Sequence, residues 1–433
     1  MTINIRNILL LDEFLQSCRM IMQDKWKYLF LFFQFILFAD MWKYCRADEV
    51  VILNCVFSGM LAMKYKVDWS KIVLVLLVYG LLILAPLINY GLNSRMLNQY
   101  IGYTIRILTA CFIASYFKYD LIIKFENLVF ILAYISIPLY ILQLINPHIY
   151  DVFTPLSKMI MEGRQYYMTD IGITMHQYLI VFVMNGWAHI RNSGFMWEPA
   201  AFGAMLSWAL LFSLYLNSFR LHRKMILYAI VIISTFSLGT YFYAVLLLIL
   251  FLLRNTSVKD TLIITATLIF FMYLFSQTNL FEEHRSMMVE KAVSYSETSK
   301  IDLETHPESF VDNEETNVRI NRLVPLYMIP SILKNDPWGR GMAPWTYSSA
   351  NGLITLLVMY GVGIIILLLL LTNKMTKYLR CLSNYFGREK LYVIISMLVL
   401  IIPLVGNPIY NQTLWLTLLI YPVFAKQVRY ERS

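Results

Sequence analysis

Charge is scarce in this chain. Only 15% of its 433 residues are Asp, Glu, Lys or Arg, where a soluble domain carries about a quarter. That shortage excludes an ordinary soluble globular protein. Sustained apolar–polar alternation is missing as well, which excludes a transmembrane β-barrel. Cysteine is sparse: Cys18, Cys45, Cys55, Cys111 and Cys381 are the five, and none falls in the two long polar segments at about 146–197 and 277–350. No disulfide framework is therefore expected. The chain has no internal repeat, no phosphate-binding glycine loop and no metal-ligand spacing, so neither a metal nor another cofactor is expected. The pair Asp302 and Glu304 reads as solvated surface. The first 27 residues lack a small-residue cleavage site, and the first spanning helix is expected to act as its own insertion signal.

What the chain does have is apolar length. Hydrophobic residues make up 59% of it, and runs of about 17–25 recur from end to end, the length that carries a helix across a bilayer. The expected fold is all-α and polytopic, with twelve spans at about 28–42, 48–64, 71–89, 99–117, 125–145, 198–217, 223–238, 240–254, 259–276, 351–372, 390–406 and 411–426. Three regions follow: residues 1–276 with nine spans and an external loop at about 146–197, a large external loop at 277–350, and residues 351–433 with three spans and a cytoplasmic tail.

The basic residues orient this scheme. With the N-terminus in the cytoplasm, the cytoplasmic segments hold Arg6, Arg19, Lys25 and Lys27; Lys64, Lys66 and Lys71; Lys118 and Lys124; Arg220, Arg223 and Lys224; Arg254 and Lys259; Lys374, Lys377, Arg380, Arg388 and Lys390; and Lys426, Arg429 and Arg432. These are 22 of the 36 Lys and Arg residues, as the positive-inside rule requires. The net charge of +9 is thus a matter of membrane orientation and not of nucleic-acid binding, since no basic stripe forms. The 277–350 loop is different: 11 acidic and 7 basic residues give it a net charge of −4. Its first part, SETSKIDLETHPESFVDNEETN, is polar. Its second part, VRINRLVPLYMIPSIL, is amphipathic and is expected to lie on the membrane surface in helical pieces broken by Pro325 and Pro330.

Arginines mark the outer side. Arg191 and Glu198 stand seven residues apart where the sixth span begins, with Glu198 at or near a helix N-cap and Pro199 in the first turn. Either two helical turns or a tight turn at Gly194 brings them to one groove. Arg319 and Arg322 share a helical face at i, i+3. Arg340 sits between glycines in NDPWGRGMAPW. Arg106 lies inside the fourth span, about a third of the way in, and an intramembrane charge marks a functional site by default. Guanidinium forks hold phosphate oxygens and keep their charge. Such a cluster suits a lipid pyrophosphate, with a carboxylate such as Glu198 taking the proton of an attacking hydroxyl. Each residue also has an ordinary role available: Arg191 as an interface anchor, Glu198 as a helix-end charge, Arg319 and Arg322 on lipid headgroups, Arg106 in a structural pair. His148, His176, His189, His284 and His306 in the two loops read singly as surface residues.

These segments resemble a family. RNSGFMWEPAAFG is similar to the arginine–glycine–phenylalanine–glutamate–proline motif before a mid-chain span in Wzy-type O-antigen polymerases and their ligase relatives. NDPWGRGM resembles the family's glycine-rich segment late in the large loop, and SSANGLITLLVMYGVGIIILL resembles the segment that re-enters the membrane after it. The likeness covers about residues 190–370. It implies a metal-independent glycosyltransferase of the bacterial plasma membrane, working at the periplasmic or outer face on repeat units carried by undecaprenyl pyrophosphate, with membrane lipids, a flippase and a chain-length regulator as partners. Carried over, Arg191, Glu198 and Arg319 are catalytic, and Arg322, Arg106, Arg340 and Asn351 bind substrate. The ligases often carry a histidine before the asparagine of the re-entry segment; Ala350 stands there, which favours a polymerase over a ligase. A lipid-linked oligosaccharide flippase is the alternative of another class, and the lack of a repeat disfavours it.

Overall fold

The computed structural model describes residues 11–39, 47–92, 94–161, 191–255, 352–383, 389–406 and 412–425, with short pieces at 42, 44–45, 166–169, 172–175, 177–184, 330, 333–334, 337–339 and 341. The architecture is a helical bundle. Helices α1 (Leu11–Gln23), α2 (Lys25–Phe38), α3 (Asp48–Met63), α4 (Trp69–Tyr90), α5 (Ser94–Phe117) and α6 (Leu121–Ile145) form the first half. A short α7 (Thr154–Met161) follows, and then α8 (Pro199–Leu216), α9 (Arg223–Ser234) and α10 (Leu238–Asn255). The last part contributes α11 (Gly352–Tyr360), α12 (Val362–Ser383), α13 (Glu389–Ile401), α14 (Pro403–Gly406) and α15 (Thr413–Phe424). Between α7 and α8 the chain adds two antiparallel pairs, Tyr166–Thr169 with Gly172–Met175 and Gln177–Tyr178 with Val183–Met184, which the sequence pattern does not announce.

Among the described residues, five helices are long and apolar enough to cross a membrane: α4, α5 from Met96, α6, α8 and α12. Their burial sorts them. The apolar window of α8 is 89% buried, that of α4 only 17%, so α8 is the axis and α4 the rim. α8 packs against α6, α9, α10, α12 and α13. On α4, Val73, Leu77, Leu81, Leu84 and Ile88 stand exposed at i, i+3/i+4 spacing, a continuous apolar stripe that water would penalise and a lipid tail accepts. The chain is a multi-pass membrane protein.

Eleven of the expected spans coincide with helices, two of them broken, and the twelfth, 259–276, lies outside the described residues. The run at 351–372 is not one helix. Gly361 takes φ +61° and ends α11 in the left-handed conformation that glycine adopts without strain. The amide of Val362 then donates to the carbonyl of Pro337 at 2.8 Å, and the amide of Gly341 donates to Met359 at 2.9 Å. A chain segment far off in sequence therefore takes up the backbone groups that the break would orphan. The run at 390–406 is likewise divided, between Ile401 and Pro403, where proline removes a ladder donor.

One end of the bundle gathers ionic contacts. Lys27 Nζ donates to Asp120 at 2.8 Å, Lys124 Nζ meets Asp24 at 2.7 Å, and Lys118 Nζ donates to the carbonyl of Tyr65 at 2.6 Å. Lys224 Nζ donates to Glu126 at 2.9 Å and to Asn127 Oδ1 at 2.7 Å, and Ser218 Oγ reaches the carbonyl of Ser383 at 3.0 Å. The basic segments around Lys27, Lys66, Lys118, Lys124 and Lys224 thus come together at this lysine-rich end. The loop before α8 lies at the other end.

Candidate functional site

The loop from Arg191 to Glu198 is a series of turns, not two helical turns. Its hub is Asn192, fully buried. The Asn192 amide donates to the carbonyl of Ser234 at 2.9 Å. Its Nδ2 reaches Ser234 Oγ at 3.0 Å and Ser136 Oγ at 3.3 Å, and its Oδ1 accepts from the Gly194 amide at 2.8 Å. One side chain therefore ties the loop to α6 and α9. Gly194 has φ +51°, and a Cβ there would come within 2.5 Å of the Phe202 ring. Both the backbone and the space demand glycine. Phe195 then enters the core between Phe35 and Phe202, with ring centroids at 5.5 and 5.6 Å. Ser193 Oγ is buried and has no hydrogen-bond partner among the described residues.

Glu198 stands where the sequence places it. Its backbone is extended, φ −148° and ψ 155°, and Pro199 opens α8. The proline lacks an N–H that the first turn leaves unused in any case. The carbonyl of Glu198 accepts the first helical bond, from Phe202 at 3.1 Å. Its side chain makes no capping bond to the helix amides and is half-buried.

Arg191 turns the other way. Its Nε donates to the carbonyl of Thr235 at 3.3 Å, the residue that caps the C-terminus of α9, and its own carbonyl accepts from Gln143 Nε2 at 3.3 Å. A cation at a helix C-terminus complements the dipole. The guanidinium therefore has a structural task at α9 beside any task on a ligand.

Arg106 lines a small open pocket together with Gln34, Leu37, Phe38, Cys45, Val50, Val51, Asn54, Gln412, Thr413 and Leu414. The walls are the last turn of α2, the first turns of α3 and α15, and the middle of α5. The motif loop adjoins this cavity: the Trp197 ring packs on Phe38 with centroids 6.4 Å apart. So the structure brings Arg106 and the residue before Glu198 to the same end of α2. Arg319, Arg322, Arg340 and Asn351 lie outside the described residues, as do His176, His189, His284, His306, Asp302 and Glu304. The glycines flanking Arg340 are placed: Gly341 is buried, and a Cβ on it would meet Met96 and Pro86 at 3.1 Å. His148 is an exposed residue paired with Asp151 at 3.1 Å, an ordinary surface contact.

Sequence reasoning missed the polar residues that line this pocket beside Arg106. Gln34 and Asn54 are buried on the cavity wall and exchange amide hydrogen bonds at 2.8 and 3.1 Å. Each is a lone amide within an apolar run, KYLFLFFQFILF and VVILNCVF, which was the available signal. Tyr150, between α6 and α7, is also near this end. Its hydroxyl donates to the carbonyl of Leu139 at 2.5 Å, and burial pushes its pKa up to about 12. It stays protonated at physiological pH and cannot serve as a base there.

No family model, curated protein or solved structure matches this chain.

Proposed function

We propose that the chain is a bacterial membrane glycosyltransferase that joins repeat units carried on undecaprenyl pyrophosphate into a surface polysaccharide, an O-antigen, capsule or exopolysaccharide. It crosses the plasma membrane twelve times, with the lysine-rich end in the cytoplasm and the Arg106 cavity and the motif loop at the outer face. Both termini are cytoplasmic. The reaction needs no metal: an arginine cluster offsets the charge that develops on the departing pyrophosphate, and a carboxylate takes the proton of the attacking sugar hydroxyl.

The observation that carries this reading is Arg106 at a cavity whose wall includes Phe38, the ring on which Trp197 of the motif loop packs. In this scheme Glu198 is the base. Arg106 and the loop arginines Arg319 and Arg322 hold pyrophosphate oxygens. Arg191 acts at the same end while anchoring α9, and Arg340 and Asn351 complete the substrate contacts. A flippase supplies the lipid-linked unit and a chain-length regulator sets the stopping point.

The test is product analysis. The purified full chain in lipid nanodiscs is given a lipid-pyrophosphate oligosaccharide with a labelled sugar, extracted from the source bacterium. Products of two or more repeats on one carrier are expected. Transfer of the glycan to a different lipid acceptor without lengthening would make the chain a ligase. Movement of intact donor across a sealed vesicle without new glycosidic bonds would make it a flippase.

A further inference from the structure

The stretch that follows α6, NPHIYDVFTPLSKMIM, turns back on the bundle. Pro147–Phe153 is a 3₁₀ turn that leads without a gap into α7. The Tyr150 hydroxyl donates to the carbonyl of Leu139 at 2.5 Å. Leu139 stands well before Ile145, where α6 ends, and a helix rises about 9 Å over that distance. The turn is therefore hooked alongside the last turns of α6 and does not project straight out from them.

The side chains of this segment sort into three rows. One row faces the protein: Tyr150 and Ser157 are buried, Phe153, Thr154 and Ile160 are half-buried, and the Tyr150 ring stacks on Phe182 with centroids 5.8 Å apart. A second row carries His148, Asp151 and Lys158, all exposed. The third is apolar and just as exposed: Ile149, Val152, Leu156 and Met159, at i, i+3, i+7 and i+10, the spacing of one helical face. Val152 is 73% exposed and Met159 65%. Such a row is costly in water. It runs on into Ile145, Leu144 and Ile141, which stand exposed on the last turns of α6, a helix long and apolar enough to cross the membrane.

We propose that this segment is an interfacial helix, seated in the leaflet at the motif-loop end of the bundle, where headgroups give way to acyl chains. Ile149, Val152, Leu156 and Met159 enter the acyl side, and His148, Asp151 and Lys158 stay among headgroups and water. An interfacial amphipathic helix buries its apolar face by about 5–10 Å, which matches the depth at which the Tyr150 hook holds the turn. Continuity with the lipid-facing side of α6 assigns lipid, and not protein, to the apolar row. The segment also borders the motif loop. It packs on Gln177–Tyr178, which pairs with Val183–Met184, and the Val183 amide donates to the Gly194 carbonyl at 2.5 Å. The bilayer contact thus lies one strand pair away from the loop that carries Glu198. The proposal needs a membrane protein and does not depend on the reaction that the protein catalyses.

Fluorescence quenching tests it on the full chain in nanodiscs of zwitterionic and anionic phospholipid. A genetically encoded dansyl amino acid replaces one residue at a time: Ile149, Val152 or Leu156 in the apolar row, and His148, Asp151 or Lys158 in the polar row. All six are exposed, so the bundle has room for the probe. One quencher is a phospholipid brominated high on its acyl chains, and the other is aqueous iodide. Probes in the apolar row should emit at shorter wavelength and be quenched more by the brominated lipid than by iodide. Probes in the polar row should show the reverse. The boundary is partly hydrated, so a thiol in the apolar row still reacts with an aqueous reagent, only more slowly than one in the polar row; quenching reads the depth directly. Quenching of the apolar row by iodide alone would place it in water. Protection from both quenchers would place it against protein, either another part of this chain or a second copy. Either result, or the same response from both rows, would overturn the proposal.

Discussion

Lys224 and Glu126, 98 residues apart in sequence, meet in an ion pair of 2.9 Å. Tyr228 donates to the Glu126 carbonyl at 2.9 Å from the same helix as Lys224, and Lys224 Nζ lies 4.9 Å from the centre of the Phe130 ring. The pair clamps α9 on α6, and through them it carries the two serines, Ser136 and Ser234, that hold Asn192. Removing one partner leaves a buried charge, at a cost of about 3–5 kcal/mol. Glu126→Ala should therefore lower the melting temperature of the purified protein sharply. Replacing both residues with leucine should restore most of the loss. A double variant as unstable as the single one would show that the clamp does not act through charge.

Gly194→Ala tests the motif loop. The new methyl group meets the Phe202 ring, and φ +51° penalises any L side chain. The two effects together cost about 2–4 kcal/mol. Lower thermal stability and loss of product are expected. Adding Phe202→Leu should recover part of the stability by freeing space, while the backbone strain persists.

Glu198→Gln keeps the shape of the side chain and removes its basicity. General-base help is worth about 10²–10⁴-fold, so the variant should fold, reach the membrane in normal amount and build almost no polymer. Single repeat units should still reach the acceptor where a separate ligase is present. A normal glycan ladder would reduce Glu198 to the residue that precedes Pro199 in an extended conformation.

Arg106→Lys keeps the charge and loses the two-pronged geometry. The expected result is a shorter or weaker ladder with a raised KM for the lipid-linked donor. Unchanged KM and ladder would leave Arg106 as a structural residue. Arg191→Lys should differ. A lysine still complements the C-terminus of α9, so stability should hold within about 1 kcal/mol, and any loss of product then reports on the ligand side.

Orientation is tested with two single-cysteine proteins. Cys381 is exposed and belongs to the segment of α12 that meets the lysine-rich end; Met159 is exposed in α7 at the other end of the bundle. In cells with a permeabilised outer barrier, an impermeant maleimide should label Met159→Cys and spare Cys381. The reverse pattern would invert the protein in the membrane.

Much of this was legible in the sequence where local chemistry decides. The N-cap at Glu198 and the helix start at Pro199 follow from proline's missing donor, and most helix positions follow from apolar length. The break at Gly361 was not legible. NGLITLLVMYGVGIIILLLLLT reads as one apolar run, and a single glycine inside a helix is tolerated. The decision is made by the 337–341 segment, which lies outside any local window. The seven-residue spacing of Arg191 and Glu198 was ambiguous for a similar reason: Asn192 binds Ser136 and Ser234 of two other helices, and those bonds select turns over helix. Gln34 and Asn54 were visible as lone amides, but their pairing across α2 and α3 is a fact of tertiary packing.

The backbone bonds from Val362 to Pro337 and from Gly341 to Met359 have a mechanical consequence. They rivet the end of the long polar segment to the joint of a broken helix. Gly361 sits at the joint. A Cβ on Gly361 would come within 2.6 Å of the Gly339 nitrogen, and one on Gly339 would meet the Gly361 nitrogen at 2.5 Å, so neither side of the rivet admits a larger residue. An insertion or deletion between Pro337 and Gly341 would break the register that lets both bonds form together.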